Sequence, residues 1–224
     1  MKKIKPFIII PVFNEDKVLA DVLDEVEKTG YHQYIVIDDG SSDGTFDTAR
    51  SKTPYALRHG VNRGKGAAIM TGFETAKLLG AEAVVTIDGD GQHNPKDIKK
   101  LMAAIQTGTD VALGTRVMNL KNAPPIRIIA NFIGNFFTFL FYGIWVQDSQ
   151  GGMRAYSKKA YTSINIKNDR YEYDSEIIRE ISRHSLSYKE IPIDVRYTEY
   201  STNKVHKQTI KNGFKMVYRM FISS

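Results

Sequence analysis

The feature that most constrains this chain is the regular alternation of short apolar runs with amphipathic stretches across its first half. Phe7–Phe13, Tyr34–Asp38, Tyr55–His59, Ala83–Asp88 and Asp110–Gly114 are short, apolar and bounded by glycine, proline or aspartate. Runs of that length and composition read as buried strands. Between them Asp16–Lys28, Gly44–Lys52, Gly64–Leu79 and Pro95–Gln106 read as helices, the last with Asn94 as cap and Pro95 in its first turn. Strands and helices in this rhythm form an α/β fold with a mostly parallel central sheet and helices on both faces. Such sheets bind ligands beyond the carboxyl ends of their strands. The polar loops fall there: Asn14–Glu15, Asp38 to Gly44, Asp88 to His93 and Thr115–Arg116.

Composition narrows the function classes. The 224 residues contain no cysteine, which excludes a disulfide framework, cysteine zinc sites and thiol catalysis, and suits a reducing cytoplasm. The net charge of +6 is concentrated at the C-terminus, where Lys204, Lys207, Lys211, Lys215 and Arg219 face no acid after Ser201. That balance calls for an anionic partner. The basic start before Phe7 imitates a signal peptide, but Pro11 and the polar Asn14, Glu15 and Asp16 follow at once, so a first strand is expected.

After Arg116 the rhythm changes. Pro124 and Pro125 precede an aromatic-rich stretch, Ile126 to Val146, broken by Arg127, Asn131 and Asn135. Its uninterrupted part, Phe136 to Val146, falls short of the roughly 20 residues that span a bilayer and reads as a buried or interfacial helix. A helix is expected near Tyr173–His184 and a strand pair around Ser187–Tyr197. Residues 1–197 make one domain, and 198–224 a basic amphipathic segment in which Lys207, Lys211, Lys215 and Arg219 line up beside Ile210, Phe214, Val217 and Phe221. On a helix those stripes suit an anionic membrane surface, the alternative being an ordinary helix packed on the domain.

Several loops carry chemistry-bearing residues. Asp88-Gly-Asp90 closes a strand and offers two hard carboxylate ligands for a divalent ion, with Gln92 as a neutral oxygen; a polar turn is the plain alternative. It is no EF-hand, because His93 and Lys99 stand where that loop needs glycine and glutamate. Asp38-Asp39 follows the second strand, where an acid hydrogen-bonds a base or ribose, and Asp43 or Ser42 caps the next helix. No G-x-G-x-x-G follows the first strand, which argues against a dinucleotide fold. Gly60 to Gly66 misses the Walker pattern, yet a glycine-rich helix start still offers N–H groups and Lys65 to an anion. Asp148 to Arg154 brackets a glycine pair; read by itself, it is a turn with a salt bridge. The five histidines lack ligand spacing, so none is assigned to a metal.

Together, Pro11-Val-Phe-Asn-Glu15, Asp38 to Gly44, Asn62 to Gly66, Asp88 to His93, Gly114-Thr-Arg116 and Asp148 to Arg154 resemble glycosyltransferase family 2. The resemblance is to its polyprenyl-phosphate branch, of dolichol-phosphate mannose synthase type, and covers about Phe7 to Tyr197. It implies a GT-A fold, an inverting reaction, a nucleotide-diphosphate sugar donor and Mg2+ or Mn2+. By that resemblance Pro11, Phe13, Glu15 and Asp39 line the nucleoside pocket, and Asp88, Asp90 and Gln92 hold metal and diphosphate. Arg116 meets a donor or acceptor phosphate, and Asp148 and Arg154 lie on the acceptor side. The family's Arg-x-x-Gly-x-Ser-Lys stretch corresponds to Thr198 to Lys204, where only Lys204 is kept, so the acceptor loop departs from the pattern.

The implied protein is cytoplasmic and peripheral at the inner membrane face, with polyprenyl phosphate as acceptor. A lipid phosphate is already an anion and needs little help from a base, whereas a glycan or lipid-linked saccharide hydroxyl needs one, for which Asp148 is the candidate. A nucleotidyltransferase would place a glycine-rich loop after the first strand, where Pro11 to Glu15 stand. The acids at the strand ends argue against a nucleic-acid binder.

Overall fold

The computed structural model describes residues 4–116, 139–140, 142–148, 151–167 and 173–196. Its strands are β1 (Phe7–Val12), β2 (Tyr34–Asp38), β3 (Ala56–Arg58), β4 (Ala83–Thr86), β5 (Val111–Arg116), β6 (Arg154–Ser157) and β7 (Tyr188–Ile193). The helices are α1 (Asp16–Lys28), α2 (Thr45–Lys52), α3 (Lys65–Leu78), α4 (Ile98–Gln106), α5 (Lys158–Ser163) and α6 (Tyr173–Arg183). The strands form one sheet in the order β3-β2-β1-β4-β6-β5-β7, parallel except for β6, which runs antiparallel to both β4 and β5.

Every residue of β1, β2 and β4 is buried, as expected of parallel strands covered on both faces. Alternation along β1 sends Phe7 and Ile9 into a core built with Ile69 and Phe73 of α3 and Ile177 and Ile178 of α6. Ile8, Ile10 and Val12 face the other core, with Leu19, Leu23 and Val26 of α1 and Ile98 and Leu101 of α4. Helix α3 lies close on the sheet because Gly72 has no side chain; a Cβ there would stand 2.4 Å from Ile9 Cγ2.

The expected α1 and β2 are found with unchanged bounds. The helix read from Pro95 begins instead as a 3-10 turn, Pro95–Asp97, and continues as α4, with Asn94 Oδ1 accepting from Lys96 N at 3.1 Å. Asp43 serves the start of α2, accepting from Thr45 N at 3.1 Å. The strand pair expected around Ser187–Tyr197 is not found among the described residues. β7 stands alone there, parallel to β5, and Val195 makes only an isolated bridge to His93. The antiparallel partner in this part of the sheet is β6, a strand that the sequence pattern does not announce. Lys204, the 198–224 segment and residues 126–138 lie outside the described residues. No helix among the described residues is long and apolar enough to cross a membrane.

Candidate active site

The chain leaves β1 toward β2 and β3 on one side and returns to β4 on the other. The direction of winding therefore reverses between β1 and β4, and the crevice at such a point is where ligands bind. Pro11 widens it. Ile8 N donates to Gln33 O and Asp39 N to Val12 O, so the even-numbered residues of β1 bond toward β2. Pro11, odd-numbered, turns its missing N–H toward β4, whose pairing with β1 already ends at Ile9↔Thr86. No ladder bond is lost, which is how a central strand tolerates proline. Gly89 crosses this gap, where a Cβ would lie 2.4 Å from Val12 Cγ1.

The loops after β1 and β2 are laced together. Asn14, in the left-handed region at φ 54, donates its N–H to Ser41 Oγ and accepts from Ser42 N, both at 2.9 Å. Glu15 is buried, its N–H donated to Thr45 Oγ1 at 2.8 Å, while Phe13 is exposed. Asp38 accepts from Ser41 N at 3.0 Å and faces Arg58 Nε at 3.2 Å. Asp39 accepts N–H bonds from Arg63 at 3.0 Å and Gly64 at 2.7 Å, and lies 2.7 Å from His59 Nδ1. Its carboxylate thus fixes the glycine-rich entry to α3, a role added to the nucleoside contact expected from sequence.

At the end of β4, Asp88 Oδ1 forms an ion pair with Lys65 Nζ, and its Oδ2 lies 3.4 Å from His93 Nε2. Burial opposes its charge, but Lys65 and then His93 outweigh burial and hold Asp88 well below the usual carboxylate range. Burial opposes the Lys65 ammonium too, and the carboxylates of Asp88 and then Asp174 more than offset it, so Lys65 stays charged. Asp90 behaves oppositely: burial, then the neighbouring Asp88 charge, push its carboxyl up, while Gln92 N donates to Oδ1 at 3.0 Å. Gly152 closes the floor, since a Cβ there would stand 2.4 Å from Asp88 Oδ2 and 2.9 Å from Lys65 Nζ.

At the end of β5, Arg116 grips Asp148 bidentately. Its Nε donates to Oδ2 at 2.7 Å and Nη2 to Oδ1 at 2.8 Å, and the Arg116 backbone N–H adds a 3.1 Å bond. Glu190 of β7 steadies the segment, accepting from Gln147 N at 2.7 Å and Thr115 Oγ1 at 3.2 Å. Arg154 is deep in the sheet, 2.8 Å from Asp174 Oδ1. The Asp148–Arg154 stretch therefore contributes to two separate ion pairs and not to one internal salt bridge. His59, Tyr173, Asp174 and Glu190 carry no site signal in the sequence; each acts through a contact distant in the chain, whereas His93 closes the Asp88 to His93 motif and reaches back to Asp88.

The predicted residues Pro11, Phe13, Glu15, Asp39, Lys65, Asp88, Asp90, Gln92, Arg116 and Asp148 all fall on strand-end loops or beside them. For a divalent ion the donor set is hard oxygen: Asp88, Asp90 and the Gln92 amide. Two acids at one strand end, with Asp90 bearing charge that its surroundings disfavour, fit a cation. Among the described residues no group of three or more histidine, cysteine or acidic side chains forms a ready-made metal cage.

The family model described as glycosyl transferase family 2 matches residues 7–164, from β1 through α5. The chain belongs to glycosyltransferase family 2. A Methanococcus voltae protein named UDP-N-acetylglucosamine--dolichyl-phosphate N-acetylglucosaminyltransferase is 34% identical, over 96% of this chain and 94% of its own length. The polyprenol monophosphomannose synthase of Mycolicibacterium smegmatis is 26% identical, over 93% of this chain and 84% of its own. Among solved structures, glucosyl-3-phosphoglycerate synthase from Mycobacterium tuberculosis, in complex with Mn2+, UDP and phosphoglyceric acid, matches with a TM-score of 0.69 at 16% identity. That match covers 97% of this chain and 76% of the other. The fold is thus of GT-A type, and the chain is a family 2 glycosyltransferase.

Proposed function

We propose that this family 2 enzyme moves a sugar, with inversion, from a nucleotide-diphosphate sugar to a polyprenyl phosphate at the cytoplasmic face of the membrane. The observation that carries the acceptor class is the state of Asp148. Both its oxygens are taken by Arg116, so it acts as the holder of an arginine before it can serve as a base. A sugar hydroxyl needs such a base; a phosphate brings its own negative oxygen. The names of the two sequence relatives support the same acceptor class.

In this reading the crevice between β1 and β4 takes the nucleoside, with Pro11, Phe13, Glu15 and Asp39 around it. Lys65 and the first N–H groups of α3 meet the diphosphate, the helix start favouring negative charge. Asp90, Gln92 and Asp88 would hold Mg2+ or Mn2+, which when bound neutralises charge growing on the leaving diphosphate. Arg116 binds the acceptor phosphate and orients its oxygen toward the anomeric carbon. The new C–O bond forms as the bond to the nucleoside diphosphate breaks, and a single displacement of this kind inverts the centre.

Membrane association is part of the proposal. Phe139, Leu140 and Trp145 are exposed apolar side chains, and the 198–224 segment supplies the basic stripe. Residues 1–197 would then be the transferase domain and Lys204 a phosphate contact of the acceptor loop. A panel of nucleotide sugars with Mg2+ or Mn2+, offered polyprenyl phosphate and a hydroxyl acceptor in parallel, tests it. Transfer to the phosphate is expected; transfer to the hydroxyl alone overturns the acceptor, and no transfer or donor hydrolysis from any nucleotide sugar overturns the donor.

A further inference from the structure

Lys65 sits on more than its carboxylate partner. Its Nζ lies 5.3 Å from the ring centroid of Tyr173, the first residue of α6 and nearly fully buried. The same ring carries a second cation, Arg154, whose Cζ is 5.8 Å from the centroid and whose Nη2 lies 2.8 Å from Asp174 Oδ1. With Gly152 pressed against both Asp88 and Lys65, the ammonium has a carboxylate, an aromatic face and a glycine floor around it. Burial keeps the Tyr173 hydroxyl protonated well above its ordinary range, so the ring remains a neutral platform.

We infer that Tyr173 is a positioning residue of this transferase: its ring seats the Lys65 ammonium at the diphosphate end of the donor site. The inference rests on the donor reading above. It follows from how a lysine behaves: the side chain is flexible and strongly hydrated, and loses much rotamer freedom when it is held in one place. One carboxylate at one strand end fixes its charge but not its direction. An aromatic face within about 6 Å adds an attraction that survives when Asp88 turns toward a cation, so Lys65 stays in place to meet a phosphate. Arg154 and Asp174 serve the same seat indirectly by fixing the ring.

The test compares Tyr173→Phe, Tyr173→Leu, Lys65→Met and the double variant Tyr173→Leu/Lys65→Met. Calorimetry with UDP and with GDP, each with Mn2+, gives the affinity. In protein labelled with 13C-lysine, the ring-current shift of the Lys65 Cε protons reports the seat itself. Tyr173→Phe should keep the shift and bind within about twofold of the unaltered protein, while Tyr173→Leu loses the shift and weakens binding by about 3- to 30-fold. In the Lys65→Met background Tyr173→Leu should add nothing. Thermal unfolding of each variant shows whether it is folded. Equal binding by the leucine variant, an equal loss in the Lys65→Met background, or failure of phenylalanine to rescue overturns the role of Tyr173. Failure of the unaltered protein to bind either nucleoside diphosphate overturns the donor reading instead, and this role with it, even if the ring-current shift is present.

Discussion

Two aspartate–arginine pairs hold the C-terminal half of the site, and they differ chiefly in how deep the arginine lies. Arg116 and Asp148 meet at 2.7 Å with the arginine side chain 38% exposed; Arg154 and Asp174 meet at 2.8 Å with the arginine 2% exposed. The first stands at the open end of β5, the second within the sheet at the head of β6. Contact distance therefore says little about what each pair does. At the rim, water and ligands compete for the guanidinium, so Arg116 can turn to a phosphate while the buried Asp148 keeps the Arg116 backbone N–H. In the interior no solvent competes for the guanidinium, so the pair fixes β6 against α6 and lends the ring of Tyr173 its support.

The sharpest way to break this comparison is to remove each arginine. Arg154→Met leaves Asp174 without its arginine and should cost about 3–5 kcal/mol, seen as a fall of about 10 °C or more in Tm. Adding Asp174→Leu should restore much of that loss, because removing both charges removes the desolvation penalty as well. An unaltered Tm in the single variant would show that depth does not separate the two pairs.

Next in size, Asp90→Asn should lower transfer by about 100- to 1000-fold with Tm unchanged or slightly higher. It takes away a charge that burial and Asp88 both disfavour, so function and stability move in opposite directions. Near-normal turnover with a continuing need for metal would remove Asp90 from the site. Arg116→Ala should raise the acceptor or donor Michaelis constant by about 10- to 100-fold while costing less stability than Arg154→Met, because the Arg116 backbone N–H still donates to Asp148. Arg116→Lys should recover only part, since a point charge does not reproduce a bidentate grip. Unchanged constants for both substrates would make the rim pair purely structural. The smallest effect belongs to Glu190→Gln: a few-fold loss of kcat with KM nearly constant, because Gln147 keeps a neutral acceptor.

The difference between the pairs also marks how far the sequence is legible. β1, β2, β4 and α1 show themselves because their residues meet one environment along their length. The runs from Phe7 and Tyr34 are apolar nearly throughout, and Leu19, Val22, Leu23 and Val26 repeat on a helical period. The loop residues show themselves because strand ends are where an α/β sheet puts its chemistry. β6 does not: it is four residues long and begins with an arginine, and it takes Asp174, twenty positions further along the chain, to balance that charge inside. Nor does the sequence say that Asp148 belongs to Arg116 or Lys65 to Asp88. Partnership is settled by which loops the sheet order brings together, and that order is not periodic.

The inverted strand β6 has a consequence for how the chain comes to be made. β4 has no neighbour on its outer side until residues 154–157 arrive, and Thr86 bonds to Gly152 and Arg154 across separations of 66 and 68 residues. β5 waits for residues 154–156 of the same strand on one side and for β7 on the other. During synthesis, then, two largely apolar strands stand with open edges while the intervening stretch is translated, and open edges invite pairing with other chains. Fragments ending between Arg116 and Arg154 should aggregate, those that include Ser157 cover β4 and the β6 side of β5, and only those that reach Ile193 close the other side of β5.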